Sequence, residues 1–133
     1  MSNPVDEIKS RILAVPEALK QRDADTILRI YDADDPRFTA FEDHPPYHRI
    51  DGQAFKRFVN EVIGKLEELR IDRKDIRIDV FDGFAVATGV DEWSAKIEGQ
   101  ALSGVSRFTL VFRKTSDGWR VVHEHFSIVP SGS

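Results

Sequence analysis

The chain has 133 residues, of which 41% are hydrophobic and 32% charged, with a formal net charge of −4 and no cysteine. That is enough apolar material for one buried core, and too even a charge for a protein that tracks a phosphate backbone or lies on an anionic membrane. The absence of thiols excludes disulfide frameworks, Cys-ligated zinc and cysteine catalysis, and no apolar run approaches the ~20 residues that span a bilayer. Met1-Ser2-Asn3-Pro4 carries neither the basic nor the apolar region of a signal peptide, so the expected location is cytoplasmic.

The first half reads as helical. Asn3 followed by Pro4 is an N-cap with proline at the first helical position, and Val5, Ile8, Ile12, Leu13 and Leu19 recur at helical spacing. Pro16 falls inside that pattern and predicts a kink or restart. Asp23 can cap a second short helix that ends in Asp32-Ala33-Asp34-Asp35-Pro36. Arg37 to Phe41 is a short strand candidate, and the paired prolines of Glu42 to Arg49 make that stretch a loop. Asp51 caps the clearest helix, whose apolar stripe is Phe55, Phe58, Val59, Val62, Ile63, Leu66 and Leu69.

From Lys74 the period changes to two. Turn signals at Asp82-Gly83, Glu98-Gly99 and Asp117-Gly118 join four strands into an antiparallel meander. The result is an α+β domain in which about three N-terminal helices cover one face of a curved antiparallel sheet.

Arg49 to Val59 (RIDGQAFKRFV) and Ser106 to Ser127 (SRFTLVFRKTSDGWRVVHEHFS) carry a family likeness. The chain resembles the nuclear transport factor 2-like superfamily in its SnoaL-like branch, similar to ketosteroid isomerase-like proteins and to the association (hub) domain of calcium/calmodulin-dependent kinase. The resemblance implies a cone-shaped fold over residues 1–133 as a single SnoaL-like domain. In the hub branch the last strand also carries Trp, then His-x-His, then Ser, here Trp119, His123, His125 and Ser127.

Strand alternation divides the last strand into one face with Val121, His123, His125 and Ser127, and another with Val122, Glu124 and Phe126. The hub resemblance places that domain's pocket arginines at Val90, Thr109 and Phe126 of this chain. It therefore implies that Thr88, Val90, Arg107, Thr109, Glu124 and Phe126 line the cone. Trp119, His123, His125, Phe108 and Phe112 would face outward on a dimerising surface. None of the pocket arginines is present, so anionic-ligand chemistry does not carry over.

His123 and His125 can pack at an interface, work as acid and base, or ligate a metal. Glu42, Asp43 and His44 are loop residues that could approach them, but no third ligand has a fixed spacing, and no metal is assigned. Arg107 would orient a substrate or pair with Glu124. Glu124, Asp91, Glu92 and Asp34 are the candidate inward carboxylates, and Tyr31, Phe41, Tyr47 and Trp93 are candidate cavity walls.

Two functions follow. In one, a cofactor-independent acid/base enzyme of isomerase, dehydratase or cyclase type acts on a small apolar molecule in the cone. Arg107, Thr109, Tyr31, Phe41, Tyr47, Trp93 and Phe126 would then bind, and Glu124, His125 or His123 would move the proton. In the other, a non-catalytic ligand-binding or association module forms a homodimer through its outer sheet face. An open cone favours the first and a plugged cone the second.

Overall fold

The structure, a computed structural model, describes residues 3–131. Met1 and Ser2, with which the reading of the N-terminus begins, and the last two residues of the expected 1–133 domain lie outside the described residues. The chain runs α1 (Pro4–Lys20), α2 (Ala24–Ile30), β1 (Thr39–Phe41), α3 (Gly52–Lys65), β2 (Leu66–Val80), β3 (Phe84–Ile97), β4 (Gln100–Thr115) and β5 (Gly118–Ile128). The five strands form a curved, mixed sheet in the order β1-β5-β4-β3-β2. Only the β1–β5 pair is parallel. Among the described residues no helix is long and apolar enough to cross a membrane.

Each helix begins at an acceptor side chain. Asn3, Asp23 and Asp51 accept the backbone N–H of Val5, Thr26 and Ala54 at 2.9, 3.0 and 2.9 Å. α1 runs through Pro16 as one helix and does not restart there. Proline removes the N–H that would bond the Ile12 carbonyl, and that carbonyl accepts instead from Arg73 Nη1 at 2.8 Å. α3 stops at Lys65, so Leu66 and Leu69 belong to β2 rather than to the helical stripe. From Leu69 the inward positions of β2 are Leu69, Ile71 and Arg73, and a bulge at Lys74/Arg77 resets the alternation to Ile76 and Ile78.

The helices cover one face of the sheet. Ile8, Ile12, Ile27 and Phe55 meet Ala85, Ala87, Phe108, Leu110, Phe112 and Val121 in one buried cluster. This corrects the orientation of β4. Antiparallel partners share a face, and the register pairs Phe108 with Phe126 and Leu110 with Glu124. With Glu124 and Phe126 inward, Phe108, Leu110 and Phe112 must also point inward, and Arg107 and Thr109 outward. Thr88 and Val90 share that outer face by their pairing with Thr109 and Arg107. Trp119 is buried in the core and not on the outer surface, because a bulge opposite Val111/Phe112 shifts the parity of β5 between Val121 and His123.

Candidate active site

At the end of the cone away from the tightest packing, the inner face encloses an open cavity of about 450 Å3. Its walls are apolar, from Val15, Phe55, Val59, Ile71, Trp93 and Ile97 among others. Its polar groups form three connected sets.

The first set is built on Tyr31 and Glu124. Tyr31 ends α2 in an extended conformation and bridges to Val121, which aims its ring into the core beside Phe55, with centroids 4.6 Å apart. Its hydroxyl donates to Glu124 Oε1 at 2.6 Å, wholly within the interior. Glu124 is 3% exposed, and burial raises its carboxyl well above the ordinary glutamate value. The neighbouring Glu42 carboxyl raises it further, while Tyr31 and Arg73 act in the opposite direction. Glu42 is raised by its own burial, and its Oε1 is buried without a hydrogen-bond partner. Burial also lifts the Tyr31 phenol well above its usual value, so it stays a neutral donor.

The second set is Asp43, Ser106 and Trp93. Trp93 Nε1 donates to Ser106 Oγ at 3.0 Å, and Ser106 donates to Asp43 Oδ2 at 2.5 Å. This holds the loop carboxylate at the cavity wall. The third is Arg73 with Asp91, a pair whose side chains are 5% and 6% exposed and whose closest contact is 3.0 Å. The Arg73 guanidinium lies over Phe108 at 5.1 Å and Phe126 at 6.0 Å, and Nη1 is tied to the Ile12 carbonyl. Burial raises the Asp91 carboxyl and Arg73 offsets part of that rise. Near Glu42 the ring of His44 stacks on Phe58, with centroids 4.4 Å apart, and its Nε2 lies 3.8 Å from Glu42 Oε2.

The family profile described as SnoaL-like domain matches residues 8–131. The chain belongs to the SnoaL-like domain family. Among solved structures the SnoaL-like chain is similar to a proposed dehydratase of the NTF2-like family from Streptomyces avermitilis, with TM-score 0.83, 19% identity and 96% of each chain covered. An NTF2-like superfamily protein from Salmonella enterica gives TM-score 0.82 at 20% identity, covering 98% of this chain and 94% of that one. The CaMKII hub of S. rosetta gives 0.77 at 19% identity, covering 97% and 99%. At these identities the likeness is one of fold. A comparison with functionally curated proteins finds no match.

Of the side chains singled out in the SnoaL-like sequence, Tyr31, Asp91, Trp93, Glu124 and Phe126 line the cavity, whereas Asp34 and Glu92 are exposed and paired with Lys56 and Lys74. Arg107 does not. It is exposed on the outer face of β4, as the register requires, and Thr109 lies on the same face. Phe41 packs outside the cone against the rings of His125 and His123, at 5.3 and 6.3 Å. Tyr47 is 63% exposed and borders a separate outer groove. His123 Nδ1 meets Thr39 Oγ1 at 2.8 Å, and burial lowers its pKa. His125 is exposed next to it. The histidine pair and the cavity therefore occupy opposite faces of β5.

Arg73 and Ser106 are site residues that the sequence reading missed. Arg73 carried a usable signal, the alternation Leu69, Ile71, Arg73, which the later strand start at Lys74 concealed.

Proposed function

We propose that this SnoaL-like domain is a cofactor-independent acid/base enzyme of isomerase, dehydratase or cyclase type, acting on a small apolar molecule that carries a carbonyl or hydroxyl. The observation that carries this reading is the buried Tyr31–Glu124 hydrogen bond on the wall of an open apolar cavity that Glu42 also lines. A protonated Glu124 and a neutral Tyr31 are the proton donors, and Glu42 and Asp43 are the acceptors. A ligand oxygen that takes the Tyr31 or Glu124 hydrogen bond is polarised. A proton on the carbon next to it can then pass to a carboxylate, giving enolisation, or the protonated hydroxyl can leave, giving dehydration. Arg73, held by Asp91 and the Ile12 carbonyl, keeps a positive charge beside the developing negative one. Arg73 thus takes the part expected of Arg107.

The test is proton exchange. Apolar enolisable ketones are incubated with the protein in D2O, and loss of the α-proton signal is followed by NMR. Exchange faster than buffer by wild type and at the buffer rate by Glu124→Gln supports the reading. Equal rates for the two proteins across the series would remove it.

The outer sheet face supports a second role, pairing with another copy. Val86, Val90, Val111 and Phe41 are only partly covered there, beside Thr88, Thr109, His123 and His125. The fold likeness to a CaMKII hub is in keeping with an associating role. A Val111→Glu protein should then sediment as a monomer where wild type sediments as a dimer.

A further inference from the structure

Beside the inner cavity lies an outer groove of about 410 Å3. Glu42, His44, Phe58, Val62 and Ile97 line both spaces, so they form the partition between them. His44 is the titratable side chain of that partition with a nitrogen on each side. Nδ1 makes an exposed hydrogen bond of 3.0 Å to the Pro45 carbonyl, which can only accept, so Nδ1 carries the hydrogen. Nε2 then presents a lone pair. It is buried without a hydrogen-bond partner, 3.8 Å from Glu42 Oε2. Two acceptors facing each other in the interior leave room for one proton between them.

We infer that His44 is the relay through which the Glu42–Glu124 carboxyl pair exchanges its proton with solvent in the outer groove. The inference rests on the acid/base reading above. The transfer balances on the imidazole ring. A proton moves from Glu42 to Nε2 once the ring closes to a hydrogen-bond distance of about 2.9 Å. The Nδ1 proton then leaves to water, giving the Nε2–H tautomer. On return, water protonates Nδ1 and the Nε2 proton passes back to Glu42, which restores the starting tautomer. One outward transfer thus delivers a net proton from the carboxyl pair to solvent, and one inward transfer returns a net proton and resets the ring. Stacking on Phe58 holds the ring in the plane that this requires.

The experiment reads the carboxyl directly and needs no substrate. Stopped-flow infrared spectroscopy follows the C=O band of the protonated carboxyl, assigned by its loss in Glu124→Gln, after a jump from neutral to alkaline pH. Wild type should lose the band rapidly. His44→Phe, which keeps the stack but cannot carry a proton, should lose it at least about tenfold more slowly. His44→Gln, polar but not a proton carrier, should slow likewise and serves if the Phe variant misfolds. Equal rates of band loss in wild type and a folded His44 variant overturn the relay and leave the acid/base reading standing. A wild-type protein with no protonated carboxyl band at neutral pH overturns the acid/base reading, and the relay with it.

Discussion

The inner face of the sheet has two ends that solve different problems. At one end Ala85, Ala87, Phe112 and Val121 are at most 1% exposed, with Ile8 and Ile12 of α1 laid directly on them. Small side chains let helix and sheet close, and at Gly89 a Cβ atom would come within 2.5 Å of the Phe108 ring. At the other end the same strands carry Asp91, Trp93, Ala95 and Ile97, and the helices stand away from them around the cavity. Buried carboxyls are costly in any fold. The open end holds Glu124 and Asp91 in fixed places because the packed end supplies the rigidity, through β-strands the two ends share. Stability is concentrated at one end, and chemistry at the other.

The largest break of this comparison is a charge at the packed end. Leu110 is 1% exposed, and Leu110→Glu would bury an unpaired carboxylate, at a cost of several kcal/mol against a total domain stability of about 5–15 kcal/mol. The variant should lack a cooperative thermal transition by circular dichroism. A folded, monomeric Leu110→Glu protein would instead put Leu110 on an association surface and return β4 to the opposite parity.

A matched pair of alanines sharpens the contrast. Ala87 is fully buried under the helices, and Ala95 borders the cavity. Ala87→Leu should destabilise by about 1–3 kcal/mol through overpacking. Ala95→Leu, with room ahead of it, should change stability by less than about 1 kcal/mol while weakening binding of apolar ligands in the cavity. Urea melts measure the first effect, and titration with an environment-sensitive apolar dye such as ANS measures the second. Equal destabilisation at the two sites would mean that the cavity end is packed as tightly as the other.

The buried acid gives a pH signature of the open end. Glu124 and Glu42 have folded-state values above their unfolded ones, so between the two the folded protein holds the extra proton. Their contribution is fully present below the unfolded glutamate value of about 4.3 and is lost as pH rises through the raised folded value. Melting temperature should therefore fall with rising pH above that point. Glu124→Gln keeps an acceptor for Tyr31 and a donor for Glu42, and should show a flatter profile and a higher melting temperature at alkaline pH. An identical slope in both proteins would show that Glu124 is ionised in the folded state.

How much of this the sequence disclosed follows from where each determinant lies. Caps, turns and the switch from helical to strand period are local, and Asn3, Asp23, Asp51 and Asp82-Gly83 marked them plainly. Glu124 and Tyr31 were found because a carboxylate and a phenol among apolar neighbours stand out. Facing was harder, because β4 is apolar on both faces and a one-residue bulge in β5 inverts the parity of Trp119 relative to Glu124. Arg107 was misplaced because the hub resemblance put it on the same face as Phe126, whereas the register pairs Phe126 with Phe108. Arg73 was hidden by a boundary error of a few residues, and the approach of Glu42, Asp43 and His44 depends on a loop whose path no local pattern sets.

The smallest expected effect lies where the two ends meet. Pro16 in α1 is buried, and its missing N–H leaves the Ile12 carbonyl to Arg73. Pro16→Ala restores a helical donor to that carbonyl, a gain of about 1 kcal/mol. It also loosens the unfolded chain and removes ring packing, costs of similar size. Net stability should stay within about 1 kcal/mol of wild type. The carbonyl then serves two donors, so the Arg73 side-chain NMR resonances should shift although the melting temperature hardly moves. A large loss of stability with those resonances unchanged would make Pro16 a packing residue of the closed end. A shift without that loss would make it the point at which the helix backbone positions a charge in the cavity.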